Sequence, residues 1–232
     1  EHVAHSFYEG ETPRHPSHGE TKPYYTGIDT EGKYSWLKSP RYEGKAMEVG
    51  PLARTLVAYG SGKKDVQNIV NHVLKTLGNL PADVLFSTLG RTAARCIETK
   101  VIADNAESMV MQLIENVKRG NLDTFTEYTM PDNAEGFGLT EAPRGALGHW
   151  IDIKKGKINN YQLIVPSTWN ASPRDSIGQR GAYEESLIGT PIADPKRPLE
   201  ILRTIHSFDP CIACAVHVID PKTNEVHKFK AA

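Results

Sequence analysis

From Lys63 to Val117 apolar residues recur at a helical spacing, and beyond about residue 125 glycines, prolines and short alternating runs replace them. That switch confines the chain to a helical part joined to a small β part. Val66, Ile69, Val70, Val73 and Leu77 share one face of a helix over 63–77, with Gly78 as its stop. Within 46–58, a shorter helix starts at Pro51. Pro81 fits the first turn of a helix containing Val84, Leu85, Leu89, Ala93 and Cys96. That helix either runs on into, or hinges with, Ile102, Ala106, Met109, Val110, Leu113 and Val117. Lys118 and Arg119 suit its last turn and Gly120 its end. These segments predict a bundle of long helices.

The rest is more irregular. The segment from Gly136 to Gly145 is glycine-rich and then broken by proline. Two strand-like runs, 149–153 and 158–165, flank Lys154-Lys155-Gly156-Lys157 and predict a hairpin, and Pro166 ends the second. Short helices fit 181–187 and 198–206. Residues 1–45, rich in His, Pro, Gly and Tyr, read as irregular. The fold class is mainly α (α+β): long helices with a small β-hairpin insertion, all within one domain. Along it run an irregular stretch (1–45), a helical stretch (46–122), loop and hairpin (136–170), helices with a metal motif (181–217) and a tail (218–232).

A net charge of −1 makes no case for nucleic-acid binding. The longest apolar stretches fall well short of the ~20 residues that cross a bilayer. No basic, apolar leader opens the chain, so export is expected to depend on something outside it. Its beginning, at Glu1 in an irregular stretch, reads as cut from the middle of a longer protein.

Three cysteines do not suggest a disulfide framework. Two of them lie in Asp209-Pro210-Cys211-Ile212-Ala213-Cys214-Ala215-Val216-His217. A Cys-x-x-Cys spacing lets two thiolates converge on one metal, and Pro210 restricts the backbone that presents the first. A zinc knuckle needs four ligands, and the third cysteine, Cys96, reads as a buried inert thiol in a helix. A thioredoxin-like redox pair needs a βαβ setting that the pattern lacks. Chemistry alone therefore leaves a metal site, a redox pair and no special role all open.

The motif DPCIACAVH resembles the C-terminal signature of the large, catalytic subunit of nickel–iron hydrogenases. TEAPRGALGHW (140–150), VPSTWNASPRD (165–175), EILRTIHSFDPC (200–211), KYSWLKSPRYEGKAMEVGPLARTL (33–56) and the opening EHVAHSFYEG resemble the same family. The resemblance spans nearly the whole chain and is nearest to the respiratory, membrane-associated uptake group.

It implies a Ni–Fe centre with CO and two cyanides on iron, held by four cysteine thiolates. Cys211 would be a terminal nickel ligand and Cys214 a bridge between nickel and iron. Arg144 matches an arginine that overhangs the metal pair, with Pro143 stiffening the backbone that aims it. Ser167 matches a hydroxyl that donates to a cyanide, and Asp209 a carboxylate that orients Arg144. His217 resembles a ligand of a magnesium ion, Mg2+, with the carbonyl of Leu163 as a second contact. His149 reads equally as part of a proton path and as a core histidine. The reaction implied is heterolytic cleavage of H2, in the direction of uptake.

The family's other two cysteines belong to an RxCGxCxxxH motif that nothing here matches, so this polypeptide alone is expected to be inactive. Residues 218–232 (VIDPKTNEVHKFKAA) follow the histidine at which mature subunits end. They therefore resemble an unprocessed tail, which as plain sequence is a flexible terminus. The implied partners are an iron–sulfur small subunit, a membrane cytochrome b, a maturation chaperone and a C-terminal endopeptidase. The implied location is the periplasmic side of the cell membrane. Two alternatives remain: a non-catalytic relative of the complex I large subunits, and an unrelated zinc or redox CxxC domain.

Overall fold

A computed structural model describes residues 1–10, 13–211, 215–219 and 226–230, with side chains up to Cys211. Six α-helices and five strands form among them: α1 (Pro51–Gly60), α2 (Lys64–Thr76), α3 (Thr88–Lys118), β1 (Asn133–Ala142), β2 (Gly145–Lys154), β3 (Lys157–Ile164), α4 (Pro166–Asn170), α5 (Ala182–Leu187), α6 (Leu199–His206), β4 (Ala215–Ile219) and β5 (Val226–Lys230). The class is α+β. Among the described residues no helix is long and apolar enough to cross a membrane. The chain divides into two compact units, one of Glu1–Gly50, Leu139–Gly148 and Leu163–Ala232, the other of Pro51–Gly138 and His149–Gln162.

The second unit holds the main apolar core, where Leu52, Val66, Val70, Leu74, Leu85, Ala94 and Ile97 pack together. Arg54 closes one side of it with a two-pronged grip on Glu98, at 2.5 and 2.8 Å. On α2 the buried stripe runs Val66–Val70–Leu74, and Leu77 is exposed at the helix end. The helix expected from Pro81 begins later. Val84 and Leu85 belong to a 3-10 turn over Ala82–Leu85, and α3 starts only where the Ser87 hydroxyl accepts from the Gly90 amide at 3.0 Å. From there α3 runs unbroken for 31 residues.

Two expectations are corrected on this helix. Only its first turns reach the core, through Gly90, Ala94 and Ile97, whereas Ile102, Met109, Val110, Leu113 and Val117 are exposed. The bundle of long helices is therefore a single long helix with two shorter ones on its N-terminal half. Cys96 is exposed rather than buried, because it lies off the face that carries Ala94 and Ile97.

The hairpin around Lys155-Gly156 forms, with both residues at positive φ (+52° and +67°) as a tight two-residue turn requires. It is extended to three strands in the order β1-β2-β3. β1 covers the glycine-rich segment expected as loop, because pairing with β2 supplies the order that its exposed residues cannot. In the same way the expected flexible tail contains paired backbone. β4 and β5 are antiparallel, with His217 opposite Lys228 and Val218 opposite His227.

In the first unit, residues 1–45 have almost no regular structure, and side chains organise them instead. The Lys33 ammonium donates to the carbonyls of Val3, Ser6 and Tyr8 at 2.8, 2.6 and 3.1 Å. Burial pushes its pKa below the usual lysine value. Arg41, its side chain 3% exposed, donates to Asp175 at 2.8 Å and to the carbonyls of Pro40, Pro173 and Gln179. Burial alone would raise the Asp175 pKa. The amides of Gln179 and Ile177 and the Arg41 guanidinium outweigh it and hold this carboxyl below its ordinary value. Tyr183 and Phe208 pack ring to ring at 4.7 Å, tying α5 to the end of α6.

Candidate functional site

Arg144 stands on the two-residue connection between β1 and β2, directly after Pro143. Gly145 follows at φ +135°, a backbone state that a side chain resists. Asp209 comes from the opposite direction in sequence, at the end of α6. The Phe208 amide bonds to the Ile205 carbonyl and the Asp209 amide to His206 at 2.9 Å, winding the helix down. Asp209 then turns left-handed at φ +55°, a state that Asp tolerates better than most residues, and Pro210 prevents the helix from resuming.

The two residues meet. Arg144 Nε donates to the Asp209 main-chain oxygen at 2.8 Å and lies 3.2 Å from its carboxylate, while Nη2 reaches the other carboxylate oxygen at 3.4 Å. Their side chains are 37% and 44% exposed, so water screens the charge term and the contact acts mainly as a geometric link. Two residues further, the Cys211 amide donates to the Ser167 hydroxyl at 3.2 Å. Ser167 lies in the first turn of α4, which Pro166 opens. Cys211 is exposed and carries a free thiol.

Arg144, Asp209, Ser167 and Cys211 thus come together, with Pro143 behind the arginine. Cys214 lies outside the described residues. His217 lies on β4, its side chain outside the described residues, and Leu163 sits near the end of β3 with its side chain half exposed. His149 hydrogen-bonds the Tyr161 hydroxyl through Nδ1, and both residues belong to the other unit. Among the described residues no group of three or more His, Cys, Asp and Glu converges as a metal cage. The donors that remain are a free thiol beside a guanidinium whose Nη1 end is not used on Asp209. A soft sulfur ligand two residues from the carboxylate that a hydrogen-bonding cation grips is a fit for a thiolate-bound metal carrying polar diatomic ligands.

One residue of this neighbourhood was not legible in the sequence. Asn170, the last residue of α4, is 2% exposed and bonds the Val49 main chain through both ends of its amide. It lies within VPSTWNASPRD (165–175), but nothing in that motif gives it a role.

A model of the nickel-dependent hydrogenases matches residues 1–217. The chain belongs to this family. It is 48% identical, over 99% of its length, to the uptake hydrogenase large subunit of Bradyrhizobium diazoefficiens. It is likewise 48% identical to the hydrogenase-2 large chain of Escherichia coli K12, and 45% identical to the quinone-reactive Ni/Fe-hydrogenase large chain of Wolinella succinogenes. Among solved structures, the reduced, active Ni-Fe-Se hydrogenase of Desulfomicrobium baculatum superposes with a TM-score of 0.76 at 39% identity, covering 90% of this chain. This hydrogenase chain spans 42% of the length of the first two relatives and of that structure.

Proposed function

We propose that this chain is part of the catalytic large subunit of a nickel–iron hydrogenase, and that the complete enzyme cleaves H2 heterolytically in the direction of uptake. The observation that carries the reading is the meeting of Cys211 with Arg144, Asp209 and Ser167, in a chain of this family. Cys211 and Cys214 would supply two of the four thiolates that hold the Ni–Fe centre. The other two come from the part of the relatives that this chain does not span. When bound, the Ni–Fe centre, with its CO and two cyanides, supplies the two-electron redox chemistry.

The residues of the chain do the rest. Arg144 keeps Nε on Asp209 and has its Nη1 end available to hydrogen-bond a cyanide nitrogen, and its fixed charge favours negative charge developing beside it. Ser167 holds the Cys211 backbone and keeps a hydroxyl proton to donate. The base for the proton from H2 would be the Cys211 sulfur rather than Arg144, because a protonated guanidinium has only donors and nothing to accept with. Asp209 orients the guanidinium. His217 and the Leu163 carbonyl are proposed as contacts of Mg2+, although magnesium prefers oxygen ligands.

Electrons would leave through an iron–sulfur small subunit, the partner that membership of this family implies. A membrane cytochrome b as acceptor, a chaperone and endopeptidase in maturation, and a periplasmic position at the cell membrane complete the proposal. The test is nickel and iron analysis with infrared spectroscopy on the complete enzyme. Cyanide and CO bands with stoichiometric nickel, lost in Cys211→Ser and Cys214→Ser, support it. Retention of nickel and H2 oxidation in both variants overturns it.

A further inference from the structure

Helix α4 reaches the site from both of its ends. Ser167 at its start accepts from the Cys211 amide. Asn170 at its end donates from Nδ2 to the Val49 carbonyl at 2.8 Å and accepts from the Val49 amide at Oδ1 at 2.9 Å. A side-chain amide that takes both main-chain groups of one residue imitates a rung of β-sheet and fixes that residue in position and orientation. The next residue, Gly50, has φ +122°, and a Cβ there would lie 2.8 Å from the Arg144 carbonyl oxygen. A Cβ on Gly145 would lie 2.6 Å from Val49 Cγ2 and 2.7 Å from the Gly50 nitrogen. Backbone 49–50 therefore nests directly on backbone 144–145, with no side-chain layer between them to absorb a displacement.

We propose that Asn170 is a positioning residue for Arg144. It fixes Val49 and Gly50, these seat the turn that carries Arg144, and Arg144 meets Asp209 two residues before Cys211. Because Ser167 belongs to the same short helix, one turn of backbone locates both the guanidinium and the thiol. Each hydrogen bond of the circuit joins a side chain to the main chain, the remaining link is backbone packed on backbone, and the whole stands without any bound group. Its consequence for turnover rests on the reading of Arg144 given above.

The test uses the complete hydrogenase with its partner subunit, in four forms: Asn170→Ala, Gly50→Ala, Arg144→Lys and the Asn170→Ala/Arg144→Lys double variant. Nickel content, kcat, KM for H2 and the crystal structure are measured. Asn170→Ala is expected to keep its nickel and KM, lose the Arg144 Nε–Asp209 contact, and lower kcat on the order of 10- to 100-fold, the scale of an ångström-level misplacement. In the Arg144→Lys background the same substitution is expected to cost less than about twofold more, because residues acting through one group are not additive. Equal losses in both backgrounds, or an unmoved guanidinium in Asn170→Ala, overturn the proposal. If Asn170→Ala does not fold, Gly50→Ala carries the test, since its added carbon pushes on the Arg144 carbonyl with Asn170 intact. If Arg144→Lys alone keeps full kcat with nickel in place, the reading of Arg144 falls, and the position of the guanidinium in the crystal still decides the role of Asn170.

Discussion

Arg144 holds Asp209 by two different groups, donating to its main-chain oxygen at 2.8 Å and standing 3.2 Å from its carboxylate. The first contact survives any substitution at 209 that keeps the left-handed turn, and the second does not. Asp209→Asn keeps a residue suited to φ +55° and removes only the charge. In the complete enzyme it is expected to retain nickel and lower H2 turnover, at the lower end of the 10- to 100-fold typical of groups that orient an active-site residue. Unchanged turnover at full nickel would show that the carboxylate has no part in aiming the guanidinium.

Arg41 and Asp175 form a buried pair with side chains 3% and 1% exposed, and Arg41→Ala leaves the buried carboxylate without its counter-charge, held by the Ile177 and Gln179 amides. Breaking one side of such a pair is expected to cost about 3–5 kcal/mol in urea unfolding. The pH dependence follows from the same contacts. The folded pKa of Asp175 is depressed, so its contribution is complete above its unfolded value of about 4 and is lost as pH falls through the folded value. An acid limb that begins below about pH 4 and flattens in Asp175→Asn is the expected result.

The start of α3 depends on one hydroxyl. Ser87→Ala leaves the Gly90 amide without its cap and is expected to cost about 1 kcal/mol. Leu74→Ala, 6% exposed and central to the helical core, is expected to cost about 2–5 kcal/mol. Thermal unfolding of the two variants side by side ranks cap against core, and a larger loss in Ser87→Ala would contradict the packing described.

The C-terminal half of α3 shows the opposite behaviour. Leu113 is 61% exposed, in company with Met109, Val110 and Val117. In the isolated 232-residue chain Leu113→Glu is expected to change stability by no more than about 0.5 kcal/mol, as at other exposed positions. It should also reduce binding of a dye that reports exposed apolar surface. A large loss of stability would mean that this face is covered in the isolated chain.

What the sequence made legible were elements whose cause is local. The α2 stripe, the Lys155-Gly156 turn and the short helices α5 and α6 follow from apolar spacing and from punctuation by Gly and Pro. What escaped it depends on partners distant in the chain. β1 is a strand because β2 lies beside it, and Cys96 is exposed because the core chose the Ala94–Ile97 face. At the site, Arg144, Ser167, Asp209 and Cys211 stood out through their motifs. Asn170 did not, because its function is to bond the backbone of a residue 121 positions away.

Lys33 has a consequence of another kind. The described residues among the first 45 have neither a ladder nor a long helix to satisfy their backbone, and three of their carbonyls converge on one ammonium. The lysine occupies the place that a calcium ion holds in many loop-rich domains, except that this ion is covalently tethered and cannot be removed by a chelator. What removes it is chemistry at nitrogen. A reagent that acylates Lys33 takes away the charge and leaves one amide donor facing three oxygens, so the loops around Val3, Ser6 and Tyr8 lose their common centre at a single stroke.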